Sequence, residues 1–136
     1  MASIDDIRRL VALDNGLASL ATLRGNGAVH VSLVNAGVID HPVDGAPVAA
    51  FVSRPSTRKL VNLQRHPQAT LQWRAGWAWV AAEGEVEIIG GDPALLRTIY
   101  TAAGGEHSDW AEYDRVMAAE GRVAVVLRPT RIYLNP

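Results

Sequence analysis

Turn signals recur between apolar runs of strand length, and this punctuation limits the possible folds more than any other feature of the chain. Leu17 to Arg24 is a short apolar run, and Gly25-Asn26-Gly27 is a hairpin turn returning into Ala28 to Asp40. His41-Pro42-Val43-Asp44-Gly45 turns the chain again into Pro47 to Ser53. Gln68 to Arg74 and Trp77 to Ile89 read as a second pair about Ala75-Gly76. A last strand spans Val123 to Leu134, and Pro129 inside it marks an edge or a bulge. Strands joined mostly by hairpins predict an antiparallel sheet, whereas a doubly wound parallel sheet needs a helix between most strands. Six strands in 136 residues predict a mainly β chain folded as a small Greek-key barrel with flanking helices, α+β by helix content.

The helices carry their own start and stop signals. Ser3 precedes Asp5 and Asp6, and Ile7, Leu10 and Val11 share one face before Asn15-Gly16 ends the helix. Ser56 is the expected cap of a short helix through Lys59, Leu60, Asn62 and Leu63, which stops before His66-Pro67. Asp92-Pro93 opens a third helix carrying Leu95, Leu96, Ile99 and Tyr100 as far as Gly104-Gly105. Ser108 or Asp109 caps a fourth, with Trp110, Tyr113, Val116 and Met117, closed by Gly121. No repeat or linker-like stretch interrupts the chain, so residues 1–136 are expected to form one domain.

Several function classes fall away. The chain has no cysteine, which removes disulfides, thiolate metal sites and thiol nucleophiles. A formal net charge of −1 exerts no pull toward nucleic acid. With no signal-peptide pattern and no apolar run of about 18 residues, no membrane span is expected and a cytoplasmic location is. Gly-x-Gly-x-x-Gly, the phosphate loop ending in Gly-Lys-Ser/Thr, His-Glu-x-x-His and Gly-x-Ser-x-Gly are all missing. His30, His41, His66 and His107 are scattered, so no metal site is expected. Glu83, Glu85 and Glu87 alternate along a strand and are expected to face solvent with no cation between them.

What remains is an anion-binding pattern. Of 13 basic side chains twelve are Arg, and Lys59 is the one Lys. An ammonium kept against that background suggests a place where a guanidinium does not fit. Ser53-Arg54-Pro55-Ser56-Thr57-Arg58-Lys59-Leu60-Val61-Asn62 gathers three cations and several hydroxyls where a strand gives way to a helix. Free N–H donors at a helix start, with Arg and Lys charge beside them, are what a phosphate group needs. The competing reading is a solvated helix start with incidental Arg residues. A Lys in the first turn opposes the helix dipole at a cost of about 0.3–1 kcal/mol, and an anion in front of it reverses that penalty. Trp73, Trp77 and Trp79 are expected on adjoining strands, Trp77 and Trp79 on the same face, either as core or as the wall of a planar ligand or a subunit interface. His30 and Ser32 share one strand face and are placed to hydrogen-bond a ring edge.

Together these stretches resemble the pyridoxamine-phosphate-oxidase-like split barrel, and within it the deazaflavin (factor 420)-dependent oxidoreductases. The resemblance spans nearly the whole chain. It is carried by Leu20-Ala21-Thr22-Leu23 with the Gly27 turn and His30-Val31-Ser32, by Lys59-x-x-Asn62-Leu63-x-Arg65-x-Pro67, and by Gly76-Trp77 leading to Ala82-Glu83-Gly84. Its most specific part is Gly105-Glu106-His107-Ser108-Asp109-Trp110-x-x-Tyr113 with Met117 after it. The resemblance implies a split barrel of the type that binds flavin mononucleotide (FMN), paired as a homodimer with cofactor sites in grooves between the subunits. Its cofactor would be the 8-hydroxy-5-deazaflavin coenzyme, factor 420, with FMN as the alternative. Lys59, Arg58, Ser53 and Arg54, with Asn62 alongside, would hold the phosphate. His30 and Ser32 would face the ring, and Trp77 from the second subunit would line the ring or the substrate. The implied activity is hydride transfer to a small electron-poor acceptor such as a quinone, enone, nitroaromatic or tetrapyrrole. An FMN-dependent oxidoreductase of the same fold, or a carrier of cofactor, haem or lipid without turnover, is the alternative.

Overall fold

Alternating burial along the chain sorts it into six strands and four helices in the computed structural model, which describes residues 1–135. The order is α1 (Ile4–Leu13), β1 (Leu17–Leu23), β2 (Val29–Asp40), β3 (Pro47–Ser53), α2 (Arg58–Arg65), β4 (Gln68–Ala75), β5 (Ala78–Ile89), α3 (Pro93–Ala102), α4 (Trp110–Ala119) and β6 (Val123–Leu134). The strands close into a barrel in the order β1-β2-β3-β6-β5-β4, every pairing antiparallel. Hairpins make three of the contacts, as the turn residues predict. Closure comes from β1 against β4 and β3 against β6, pairings between strands distant in sequence.

Two apolar clusters divide the burial. Inside the barrel Leu20, Phe51, Leu71, Trp73, Val80 and Val125 interdigitate, joined by Ile7 and Leu10 of α1 and by Leu60 and Leu63 of α2. Each such side chain contributes about 1.5–3 kcal/mol on leaving water. On the outer side Ile39, Val48, Ala50 and Val126 receive Leu96, Ile99 and Tyr113 from α3 and α4. Strand β3 is therefore buried on both faces, which explains its unbroken apolar run Val48-Ala49-Ala50-Phe51.

Three local expectations change. The cap of α2 is Thr57, not Ser56. Its hydroxyl does not cap the helix but donates to the Arg54 carbonyl at 3.1 Å, so the β3–α2 link closes as a side-chain turn. The tryptophans do not share a face. Trp73 is core, its indole N–H donating to the Ala36 carbonyl at 3.0 Å. Trp77 belongs to the turn itself and is 94% exposed, while Trp79 packs edge-on against Tyr133. Finally, Glu87 does meet a cation. It accepts from Arg128 Nε at 2.8 Å across the β5–β6 pair and lies 3.3 Å from Nε2 of the buried His41.

Pro129 marks a bulge, as expected. Glu83 pairs with Arg131 but Gly84 pairs with Pro129, so Thr130 is the extra residue. A Cβ at Gly84 would lie 1.9 Å from the Arg128 carbonyl oxygen, a backbone atom with no freedom to retreat. Gly84→Ala should cost about 3 kcal/mol, the upper end of overpacking. Urea unfolding checks this, and a loss below about 1 kcal/mol would mean that the strand pair can part there.

Candidate functional site

The barrel is split at one end. Strand β1 pairs with β2 over the whole stretch back to Val29, but β3 pairs with β2 only from Ala36 to Asp40. Beyond Phe51 the last residues of β3 turn to β6 alone, leaving the first half of β2 with an open edge. His30 and Ser32 continue the inward face of Val34 and Ala36 into this split and are half-buried there. His30 Nδ1 and Ser32 Oγ are both removed from solvent and have no hydrogen-bond partner among the described residues. Such atoms cost about 1–3 kcal/mol each unless something bonds them, so the split is built for a polar visitor.

The other lip of the split is the start of α2. Asn62 is 2% exposed and donates from Nδ2 to Thr22 Oγ1 at 3.1 Å. Thr22 stands opposite His30 in the β1–β2 pair, so this bond pins the helix across the barrel mouth near the unpaired histidine. Lys59 lies one turn earlier, in the first turn of α2 as expected, and is half-buried. Among the described residues it makes no ion pair or side-chain hydrogen bond. Burial, and then the charge of Arg122, holds its ammonium below the usual lysine range.

Arg122 and Glu120 complete the cluster, and nothing in linear spacing points to either. Ser53, the last residue of β3, pairs with Val123, the first of β6, so Arg54 and Arg122 both flank that pair where β3 ends and β6 begins. Glu120 bridges them, accepting from Arg54 Nη2 at 2.5 Å and from Arg122 Nε at 3.2 Å. The Arg54 hydrogen bond, followed by the charge of Arg122, keeps the Glu120 carboxyl below its ordinary value. Arg58 is exposed in the same first turn. Among the described residues four cations thus gather with one carboxylate, an excess that favours an anion.

Other expected site residues are placed differently. Ser53 is 2% exposed, its hydroxyl donating to the Arg54 carbonyl at 3.1 Å and lying 3.3 Å from Thr57 Oγ1. It shapes the turn that carries the cations, as Asn62 fixes the helix. Trp77 does not join the cluster within one chain. By strand register it lies roughly eight residues along β4 from the level of His30, on the order of 25 Å away. Its turn is held by Asn135, which donates to the Trp77 carbonyl at 3.0 Å and accepts from the Trp79 N–H at 3.1 Å.

The Gly105–Tyr113 run, the most specific piece of sequence, is a packing device. Tyr100, His107, Trp110 and Tyr113 stack within 5.0–6.5 Å, clamping α3 to α4 on the outer side of the barrel. A Cβ at Gly105 would strike the Tyr100 ring at 2.6 Å, which accounts for the glycine.

On the outer face of β2, Val29, Val31 and Leu33 are 61%, 63% and 66% exposed. Leu23 and Ala21 of β1 lie beside the first two, making a continuous apolar strip on open sheet. A cavity of about 350 Å³ on that side is walled by Ala21, Leu23, Val29, Thr70 and Glu83 among others, and by none of Lys59, His30 or Ser32. No helix among the described residues is long and apolar enough to cross a membrane.

Known structures share this architecture. A conserved hypothetical protein of Mycobacterium tuberculosis is similar at 21% identity and a TM-score of 0.74, over 98% of this chain and 84% of that one. A factor 420 reductase is similar at 21% identity and a TM-score of 0.65, over 90% and 93% of the two chains. A haem-binding protein of Mycobacterium smegmatis is similar at 20% identity and a TM-score of 0.69, over 99% of this chain but 55% of that one. At these identities the likeness is one of fold. The profile of the family described as pyridoxamine 5′-phosphate oxidase matches residues 5–135, nearly the whole chain, and the protein belongs to that family.

Proposed function

We propose that the protein is an oxidoreductase that holds a reduced deazaflavin coenzyme, factor 420, and passes hydride to a small electron-poor acceptor. The observation that carries this reading is the pair of buried atoms at the split, His30 Nδ1 and Ser32 Oγ, which have no partner among the described residues, together with a Lys59 that has none there either. A ring edge with carbonyl and N–H groups satisfies the first two, and a phosphate answers the ammonium with Arg58 and Arg54 nearby. Ser53 and Asn62 serve by holding the turn and the helix in place. The coenzyme, when bound, supplies the redox chemistry, and the chain supplies orientation, charge and exclusion of water. The factor 420 reductase among similar structures supports the choice of cofactor, and the run from Gly105 to Tyr113 resembles that branch.

The site is completed, in this reading, by a second copy of the chain. The apolar strip Val29, Val31 and Leu33 is the dimer surface. Trp77, fully displayed on a turn that Asn135 holds, lines the ring or the acceptor in the other subunit's groove.

Titrating the purified protein with factor 420, FMN and haemin tests the proposal. Micromolar binding of factor 420, followed by oxidation of its reduced form when a quinone, enone, nitroaromatic or tetrapyrrole is added, is the expected result. Tight FMN binding with no factor 420 affinity would overturn the choice of cofactor. Binding of haemin alone would overturn the enzyme reading in favour of a carrier.

A further inference from the structure

Among the described residues Glu120 is the one carboxylate in contact with the cation cluster, and its position calls for an explanation. Arg54 follows the last residue of β3 and Arg122 precedes the first of β6, so the Ser53–Val123 pair brings two like charges close together, an arrangement disfavoured without a counter-ion. Glu120 takes a hydrogen bond from each. It is three-quarters buried at the side chain, its first partner Arg54 is about half exposed, and Arg122 also presents its charge to Lys59. The two guanidiniums are therefore already engaged before any ligand arrives, whereas Lys59 and Arg58 have no ion pair among the described residues.

We infer that Glu120 is a specificity-determining residue, a built-in anion that restrains Arg54 and Arg122 and so biases the site against doubly charged terminal phosphates. The inference rests on the reading of this cluster as the cofactor phosphate site. A phosphomonoester such as that of FMN carries close to two negative charges at neutral pH, and a phosphodiester such as that of factor 420 carries one. Repulsion by a fixed carboxylate grows in proportion to the charge on the phosphate, and its one negative charge offsets one of the two guanidinium charges that would attract that phosphate. At the phosphate itself the carboxylate therefore penalises the monoester about twice as heavily as the diester. Specificity of this kind is obtained by a repulsive element rather than by a better contact.

The test is Glu120→Gln, which keeps the shape and one acceptor oxygen but removes the charge. Affinities for FMN, riboflavin and factor 420 are measured by fluorescence titration at two salt concentrations. FMN should bind about tenfold more tightly to the variant, equivalent to about 1.4 kcal/mol, and factor 420 by about threefold or less. Riboflavin, which has no phosphate, should be unchanged, and the FMN gain should shrink as salt rises. An equal change for all three ligands, or none for FMN while the folded state merely loses Tm, would reduce Glu120 to a structural counter-ion and overturn the inference. Lys59→Ala separates this from failure of the site itself. If that substitution leaves FMN and factor 420 affinities untouched, the cluster does not bind phosphate at all; if it weakens both while Glu120→Gln leaves their ratio unmoved, the phosphate site stands and the role of Glu120 falls.

Discussion

Lys59→Ala is expected to weaken cofactor binding by about 1.5–3 kcal/mol, the range for a hydrogen bond to a charged group, with little change in thermal stability. The two readouts separate because of what Lys59 does and does not touch. It forms no ion pair among the described residues, so its removal strands no partner, while the buried apolar anchors of α2 are Leu60 and Leu63. Lys59→Arg should rescue only partly, since a longer planar fork must fit where burial and Arg122 already crowd a compact ammonium. The depressed lysine pKa adds a direction. The ammonium is full below its lowered value and is lost as pH rises through it, so cofactor affinity should decline on the alkaline side before an ordinary lysine would titrate. In Lys59→Ala that decline should vanish. Calorimetric titration across neutral to alkaline pH measures both effects, and unchanged affinity at neutral pH would remove Lys59 from the site.

The fold was legible in the sequence to an unusual extent because its boundaries are made by local chemistry. Glycines at positive φ sit where chain reversals need them, as Gly27 and Gly76 do, and Asp92 and Asp109 cap their helices through side-chain bonds to Leu95 and Glu112. Where two hydroxyls compete for one role, as Ser56 and Thr57 do, propensity does not choose; the Thr57 bond to the Arg54 carbonyl does. The tryptophans failed for a related reason. Counting alternation through Gly76 treats Trp77 as a strand residue, yet the turn takes both positions and resets the parity.

The candidate site divides along the same line between local and non-local information. Lys59, Arg58 and Arg54 lie within six residues of one another, so charge and a helix start suffice to find them. Arg122 is brought to them only by the Ser53–Val123 pairing, a closure contact that no periodicity reveals. Glu87 and Arg128 were hidden in the same way, since their meeting depends on β5–β6 register past a bulge. That His30 Nδ1 and Ser32 Oγ lack partners among the described residues follows from where β3 leaves β2, a long-range feature that no local pattern carries.

Val31→Asp is expected to convert the proposed dimer to monomers and, with it, to depress cofactor affinity. Val31 is 63% exposed in the single chain, so the substitution should alter monomer stability by only about 1 kcal/mol, the span of strand propensity. In a two-fold interface the same patch meets itself, and each dimer would then bury two new carboxylates among Val29, Leu33 and Ala21. A buried charge without a partner costs about 3–5 kcal/mol, enough to weaken association by at least about a hundredfold. Val43, 88% exposed on the His41–Gly45 turn away from the strip, supplies the control: Val43→Asp should leave the oligomeric state as it was. Light scattering after gel filtration reads the mass, and a factor 420 titration of the same fractions reads the site. Monomers that bind the coenzyme as tightly as the parent would show that one chain builds the pocket alone and that Trp77 has no part in it. A dimer that survives Val31→Asp would place the contact elsewhere on the barrel. Loss of mass and affinity together is the outcome that joins the open split, the exposed valine row and the distant tryptophan into one two-chain site.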